Sequence, residues 1–416
     1  MRKYLLVEDS PIVVKIIQHI GKTDTDIPCD IATSFSEAKE LLTKNGKDHY
    51  LVAVVDLNLP DAPNGEVVDY TIKQHIPTIV LTGNFDETKQ EEMTHRPIVD
   101  YVIKESRFSY EYVIKLINRL EKNQDIKILV VDDSRTSRNH IANLLRTHLY
   151  QVHTANDGDE ALEILEQHSD IKLMITDYNM PKMNGFDLVK NIRKEVSKND
   201  LVIIGLSTEG NVKLSAKFIK NGANDFLNKP FSHEEFHCRI LHNIESLEYA
   251  QTMKHMAYHD FVTGLPNKQK FFIDGAKELE MAHEQNAPVS LALISIDHIH
   301  NIQDKYGLDA PDTALKSLST LLPKAFGRFH FAKINDSDIA VLMAGLKIDQ
   351  AAKLINGFRE IVEDHIVLID ETNFSFTVSA GITDSPGETL ISLLKQADNR
   401  LYLTREEGDN SIGLKD

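Results

Sequence analysis

At 416 residues the chain is long enough for about three domains, and its 42% apolar and 26% charged residues suit globular domains that bury a core. A net charge of −17, from 46 basic against 63 acidic residues, argues against general attraction to nucleic acid or to anionic lipid. Two cysteines, Cys29 and Cys238, exclude a disulfide framework, and no run approaches the ~20 apolar residues of a membrane span.

The chain opens on an apolar strand, YLLVEDS (4–10), which meets a charged pair too early for a signal peptide, so a cytoplasmic location is expected. This cassette recurs as ILVVDDS (128–134). VVDLNLP (54–60) recurs as ITDYNMP (175–181), and VIKES around Lys104 is answered by LNKPF around Lys229. Three landmarks displaced by nearly one distance indicate a duplicated domain. In each copy short apolar runs alternate with amphipathic stretches, for example strands at 127–132, 172–177 and 202–207. That alternation predicts βαβ units and a parallel sheet covered on both faces, with the chemistry at the carboxyl ends of the strands. Asp132, Asp133, Asp177, Ser207 and Lys229 fall at those ends, as do Glu8, Asp9, Asp56, Thr82 and Lys104 in the first copy.

Three clustered carboxylates raise one another's pKa unless a cation lies among them. Mg²⁺, which keeps several waters, suits such an all-oxygen set. With a lysine and a hydroxyl beside it, the cluster makes a pocket for a phosphoryl dianion, and the central aspartate is the natural nucleophile.

A polar connector of about four residues joins the copies before Ile126, short enough to predict close packing between them. After Lys229, Ser232 and Glu235 form a capping-box pattern ahead of Phe236, Ile240, Ile244 and Leu247. No Gly or Pro occurs from 232 to 261, so the last helix of the second copy is expected to continue as a signalling helix over 232–258. From about 256 the text changes to HDFVTGLPNKQKF, LALISIDHIHNIQ, AKINDSDIAVLM and KQADNRLYLTREEGDN, still alternating but without the earlier landmarks.

On these residues both copies resemble receiver domains of two-component response regulators, over 1–122 and 126–248. The expected fold is α/β: two flavodoxin-like, doubly wound parallel sheets. The resemblance implies phosphoacceptors at Asp56 and Asp177, and one Mg²⁺ per receiver held by Glu8, Asp9 and Asp56 or by Asp132, Asp133 and Asp177. It assigns phosphoryl binding to Thr82, Lys104, Ser207 and Lys229, and the aromatic switch to Tyr101 and Phe226. A histidine kinase or phosphotransfer protein is the implied partner.

The blocks of 256–416, above all the D-x-x-T-G-L-P-N opening (260–267), resemble the α/β GGDEF, or diguanylate cyclase, domain. Its signature positions hold Asn335, Asp336, Ser337, Asp338 and Ile339, so both glycines and the metal-binding acid are replaced. His300 stands at the phosphate-binding lysine, Gln303 at the guanine-contacting Asn, and Asp409 at the arginine of the closing turn. Asp297, Asp312 and Arg405 match family positions and are residual candidates for nucleotide contact. Phe326 and Phe329 occupy the places of the product-inhibition motif, as core or as interaction surface. The expectation is a response regulator that signals through a catalytically inactive GGDEF domain, by a downstream protein partner or by self-association, without nucleic acid or membrane. Two alternatives are a phosphorylation-regulated diguanylate cyclase and a non-catalytic GTP sensor.

Overall fold

The computed structural model describes residues 2–83, 93, 96–208, 212–369, 372–384 and 389–414. The chain forms two compact units, Met1–Ala250 and Gln251–Asp416.

The first unit contains both copies of the repeat. In the first copy, strands β1 (Lys3–Val7), β2 (Cys29–Ala32), β3 (Tyr50–Asp56), β4 (Thr78–Thr82) and β5 (Asp100–Ile103) form one sheet. Its order is β2-β1-β3-β4-β5, and every neighbouring pair is parallel. Helices α1 (Pro11–Asp24), α2 (Phe35–Asn45), α3 (Glu66–Lys73) and α4 (Arg107–Asn123) cover it. The near-continuous apolar run Tyr50–Val55 is buried throughout, as a strand covered on both faces requires. Separate cores lie above and below the sheet, around Ile114 and Ile117 on one face and Val67 and Val68 on the other.

The second copy repeats this design. Strands β6 (Lys127–Val131), β7 (Gln151–Ala155), β8 (Ile171–Asp177), β9 (Val202–Ser207) and β10 (Asp225–Asn228) are ordered β10-β9-β8-β6-β7, again all parallel. Read from the other edge, the order matches the first sheet strand for strand. Helices α5 (Arg135–Thr147), α6 (Gly158–Gln167), α7 (Gly185–Ile192), α8 (Val212–Lys220) and α9 (His233–Tyr258) accompany it. In both sheets the topology reverses between the first and third strands of the copy, and this opens a crevice at their carboxyl ends.

The short connector does bring the copies together. The Arg119 guanidinium on α4 forms a two-pronged bond with Glu248 on α9 (2.8 and 2.9 Å). Its Nε also donates to Asn123 Oδ1 (2.7 Å). Buried Asn123 in turn donates to the His148 carbonyl (2.9 Å), and Leu149 packs on the core of the first copy.

A continuous helix does follow Ser232: α9 has 26 residues and is about 39 Å long. Ser232 Oγ accepts from the Glu235 amide (3.0 Å), which is half of the expected capping box. Phe236, Ile240, Ile244 and Leu247 are buried in the core of the second copy, whereas Tyr249, Met253 and Met256 further along are exposed. Among the described residues no helix is long and apolar enough to cross a membrane.

The second unit is built differently. Strands β11 (Val289–Ile296), β12 (His330–Lys333), β13 (Asp338–Ala344), β14 (Val367–Ile369), β15 (Thr372–Phe374), β16 (Val378–Thr383) and β17 (Ile412–Gly413) follow in sequence. Five make a sheet ordered β12-β13-β11-β16-β17, antiparallel except for the β16–β17 pair, while β14 and β15 form a hairpin. Its helices are α10 (Lys268–Glu284), α11 (Ile299–Tyr306), α12 (Ala310–Phe326), α13 (Ile348–Glu363) and α14 (Leu390–Glu407). Alternation of strand and helix in sequence therefore coexists with antiparallel pairing. α14 lies so close to β16 that a Cβ on Gly381 would stand 2.0 Å from the Ala397 carbonyl oxygen.

Arg119→Ala should lower the stability of the first unit by about 1–3 kcal/mol, because it strands Asn123 and Glu248 without their donor. Urea unfolding followed by circular dichroism, together with faster amide exchange in α4, measures this; unchanged values for both would show that the joint contributes nothing.

Candidate functional site

The crevice of the first sheet collects the residues that the sequence singled out. Glu8 is fully buried, Asp56 is 6% exposed and Asp9 is exposed beside them. Their ligand-capable oxygens lie within 4.8 Å of one another, and among the described residues this is the group so arranged. Lys104 Nζ bridges the cluster, 2.7 Å from Glu8 Oε2 and 2.6 Å from Asp56 Oδ2. Backbone amides complete the cradle: Ser10 N donates to Glu8 Oε1 (3.2 Å) and Asn58 N to Asp56 Oδ1 (3.1 Å). Thr82 is buried at the end of β4, and its carbonyl accepts from the Lys104 amide (2.7 Å), which pins the lysine to the neighbouring strand.

The crevice of the second sheet matches it. Lys229 Nζ stands 2.7 Å from both Asp132 Oδ2 and Asp177 Oδ1. Ser134 N donates to Asp132 Oδ1 (2.9 Å) and Asn179 N to Asp177 Oδ2 (2.8 Å). Ser207 is buried, its carbonyl accepts from the Lys229 amide (2.8 Å), and Asp133 is exposed.

One residue here was missed in the sequence. Ser137 Oγ donates to Asp132 Oδ2 (2.6 Å) and lies 3.1 Å from Lys229 Nζ, so it holds the carboxylate from the helix side. Its signal was a hydroxyl one turn into the helix that begins after the acidic pair.

Burial pushes the Glu8 and Asp177 carboxyls above their usual range, and the facing lysine offsets only part of that rise. For Lys104 and Lys229 burial works downward, but hydrogen bonds to two carboxylates outweigh it and both pKa values are raised. Each pocket thus holds a fixed ammonium against two carboxylates.

The two aromatic positions are already turned inward. Tyr101 lies in the core of the first copy, its buried hydroxyl without a hydrogen bond among the described residues. Phe226 packs at 5.4 Å from Phe218. Apolar partners hold both rings, so neither is a free rotor on the surface.

In the second unit, the turn before β13 borders an open cleft of ≈ 640 Å³, which Asp312, His300, Gln303 and Lys333 also line. Asn335 Oδ1 accepts from the Ser337 and Asp338 amides (3.2 and 2.9 Å), while Asn335 Nδ2 and Ser337 Oγ both donate to Asp338. The turn is therefore closed on itself by side chains. Ile339 is fully buried. Asp297 and Arg405 meet each other instead of the cleft: Arg405 Nε is 3.6 Å from Asp297 Oδ1, and its terminal nitrogen donates to the Ile296 carbonyl. Asp297 Oδ2 also accepts from Thr377 Oγ1 (2.8 Å) and Asn410 N (3.0 Å). Asp409 pairs with His298 (2.6 Å). Phe326 is fully buried against Phe358 and Phe329 packs at the edge of the same core, which favours the core reading of both.

The response regulator receiver domain family matches residues 128–241, and the diguanylate cyclase, GGDEF domain family matches residues 257–411. The Chemotaxis protein CheY homolog of Campylobacter jejuni is 44% identical over 108 residues, covering 26% of this chain and 83% of the relative. Chemotaxis protein CheY1 of Helicobacter pylori is also 44% identical over 108 residues, covering 26% and 87%. A solved structure described as a two-component system response regulator/GGDEF domain protein is 43% identical, with a TM-score of 0.55. It covers 60% of this chain and 100% of its own.

Lys104→Met or Lys229→Met leaves two buried carboxylates facing each other and should destabilise the first unit by about 3 kcal/mol in EDTA. Mg²⁺ should recover part of that loss, and recover more than it adds to the parent protein. Urea titrations with and without Mg²⁺ measure both; a variant as stable as the parent in EDTA would contradict the bridging role.

Proposed function

The chain belongs to the response-regulator family, with a receiver domain and a GGDEF domain in one polypeptide, and from that premise we propose that it is a phosphorylated signalling protein with two receivers. The N-terminal copy, 1–122, is read as the second of these receivers because it repeats the strand order, the acidic pair, the buried aspartate and the bridging lysine. That repeated carboxylate–lysine–carboxylate bridge is the observation that carries the proposal.

In each pocket the aspartate carboxylate, Asp56 or Asp177, attacks the phosphorus of the donor. The new O–P bond forms as the bond to the leaving group breaks, and the leaving group departs with its electron pair and takes a proton from solvent. A phosphohistidine of a histidine kinase or phosphotransfer protein is the donor class implied. Lys104 or Lys229 exchanges one carboxylate for a phosphoryl oxygen, while buried Thr82 or Ser207 offers its hydroxyl to another. Backbone amides of Asn58 and Asn179 hold the nucleophile in place. The oxygens of Glu8, Asp9 and Asp56 fit Mg²⁺ by number, spacing and chemistry. Asp132, Asp133 and Asp177 are the corresponding donors of the second receiver. Mg²⁺ in these pockets would neutralise charge on the transferring group.

The GGDEF domain is read as catalytically inactive. The turn at Asn335–Asp338 carries side chains where the nucleotide needs bare backbone, Ser337 cannot supply a metal carboxylate, and Asp297 is engaged by Thr377, Asn410 and Arg405. Its output is then contact with a downstream protein or with itself. A non-catalytic GTP sensor is the second reading, favoured by the open cleft with Asp312 on its wall.

Incubation with a small phosphoryl donor and Mg²⁺ should raise the intact mass by two phosphates at most. Asp56→Asn or Asp177→Asn should each remove one, and the double variant should take none. Phosphorylated protein given GTP should release no cyclic di-GMP, and Ser337→Glu alone should not restore release. Phosphate uptake by the double variant would refute the receiver assignment, and wild-type turnover of GTP would overturn the inactive reading.

A further inference from the structure

The two crevices share their carboxylates, lysine and backbone amides, but the helix that follows the acidic pair treats them differently. In the second copy α5 grips Asp132 from two positions. Ser137 Oγ donates to Asp132 Oδ2 (2.6 Å), and the Arg138 guanidinium donates to the Asp132 carbonyl. Ser137 Oγ also accepts from Lys229 Nζ (3.1 Å), which itself stands 2.7 Å from Asp132 Oδ2. Ammonium, hydroxyl and carboxylate thus close a triangle of hydrogen bonds, with the hydroxyl acting as donor and acceptor at once. At the offset that relates Asp132 to Glu8, the first copy has Val13 and Val14, two partly buried side chains that pack on its core. Neither can donate to a carboxylate.

The carboxylates differ accordingly. Both oxygens of Asp132 are engaged, Oδ1 by the Ser134 amide (2.9 Å) and Oδ2 by Ser137 and Lys229 together. Glu8 has the matching amide, from Ser10 (3.2 Å), and the matching lysine (2.7 Å), but among the described residues no hydroxyl of α1 reaches it. The oxygens of Glu8, Asp9 and Asp56 lie within 4.8 Å of one another, whereas those of Asp132, Asp133 and Asp177 do not gather in this way. The first crevice is therefore collected for a shared cation in advance, and the second must first loosen Asp132 from its donors.

We propose that Ser137 is a positioning residue that makes the second crevice the weaker Mg²⁺ site, so that the two receivers fill in order, the first before the second. This rests on the reading of both crevices as Mg²⁺-dependent receivers. A carboxylate that takes up a cation exchanges its present donors for the ion, and hydrogen bonds to a charged oxygen are the stronger ones to give up. At Glu8 Oε2 that exchange involves Lys104, and at Asp132 Oδ2 it involves Lys229 and Ser137 together. Because Ser137 accepts from Lys229 while donating to Asp132, each bond of the triangle polarises the next and tightens the ion-free arrangement. Phosphate entry then follows the same order. Asp56 is loaded at low Mg²⁺, and Asp177 joins as Mg²⁺ rises.

The test uses the full chain stripped with EDTA and titrated with Mn²⁺, which takes the same oxygen donors and whose free aqua ion is counted by electron paramagnetic resonance. Unaltered protein should show a tight and a weak class of site. Asp56→Asn should abolish the tight class and Asp177→Asn the weak one. Ser137→Ala should tighten the weak class by about tenfold, the lower range for a hydrogen bond to a charged group. Ser137→Thr, which keeps the hydroxyl, should stay near the parent value. A merely structural role for Ser137 would lower stability in the alanine variant without tightening the metal. In unaltered protein, peptide mapping of phosphate across a Mg²⁺ series should show Asp56 half-loaded at the lower Mg²⁺ concentration, a readout that judges the proposal even where a variant folds poorly. Equal affinities, a tight class lost with Asp177→Asn, no tightening in Ser137→Ala, or equal tightening in Ser137→Thr would overturn this inference alone. Absence of any saturable Mn²⁺ site would overturn the receiver reading and this inference with it.

Discussion

A single ammonium placed between two buried carboxylates is the constraint on which each receiver-like fold depends. Glu8 is fully buried, and Asp132 and Asp177 nearly so. Unpaired, such charges would cost several kcal/mol each. The lysine that satisfies Glu8 stands 96 residues further along the chain, and the one that satisfies Asp132 stands 97. The last strand of each copy must therefore dock beside the fourth before the first can keep its acid. Lys104 and Lys229 are held by their own amides to Thr82 and Ser207, so sheet order and pocket chemistry are one requirement.

In the proposed function, the same requirement is what would let the pockets accept a new anion. Two carboxylates sharing one lysine exceed it in charge, and the surplus attracts a hard cation. A phosphoryl group arriving with that cation can replace one carboxylate in the lysine's coordination. No large rearrangement of the backbone is needed, since the amides of Asn58 and Asn179 already fix the nucleophile. In the second unit the turn is held differently: Asn335 and Ser337, both neutral, donate to Asp338, and no lysine bridge like those of the two crevices is seen there among the described residues.

Much of this was legible in the sequence because duplication supplied an internal control. Asp56 and Asp177, Lys104 and Lys229, and Thr82 and Ser207 keep step between the copies, and the structure brings each set to one crevice. The 232–258 helix was legible too, through the apolar period from Phe236 to Leu247 and the absence of Gly and Pro. What escaped depends on distance in space, not in sequence. Ser137 joins the second pocket only because one helical turn places its hydroxyl over Asp132. Asp297 and Arg405 each match a nucleotide-site position, yet opposite charge draws them to each other. The inward burial of Tyr101 and Phe226 among apolar neighbours was likewise not readable from their positions three residues before each lysine. The antiparallel pairing of the third sheet follows from tertiary packing that no periodicity encodes.

The central claim is that the two bridged pockets are the places where phosphate enters the chain. Borohydride reduction of the phosphorylated protein converts an aspartyl phosphate to homoserine, which peptide mass mapping locates by position. Homoserine at 56 and at 177, and at no other position, is the result that the bridged geometry predicts. Homoserine at neither position in protein shown to carry phosphate, or at an exposed acid such as Asp9 or Asp133, would contradict it.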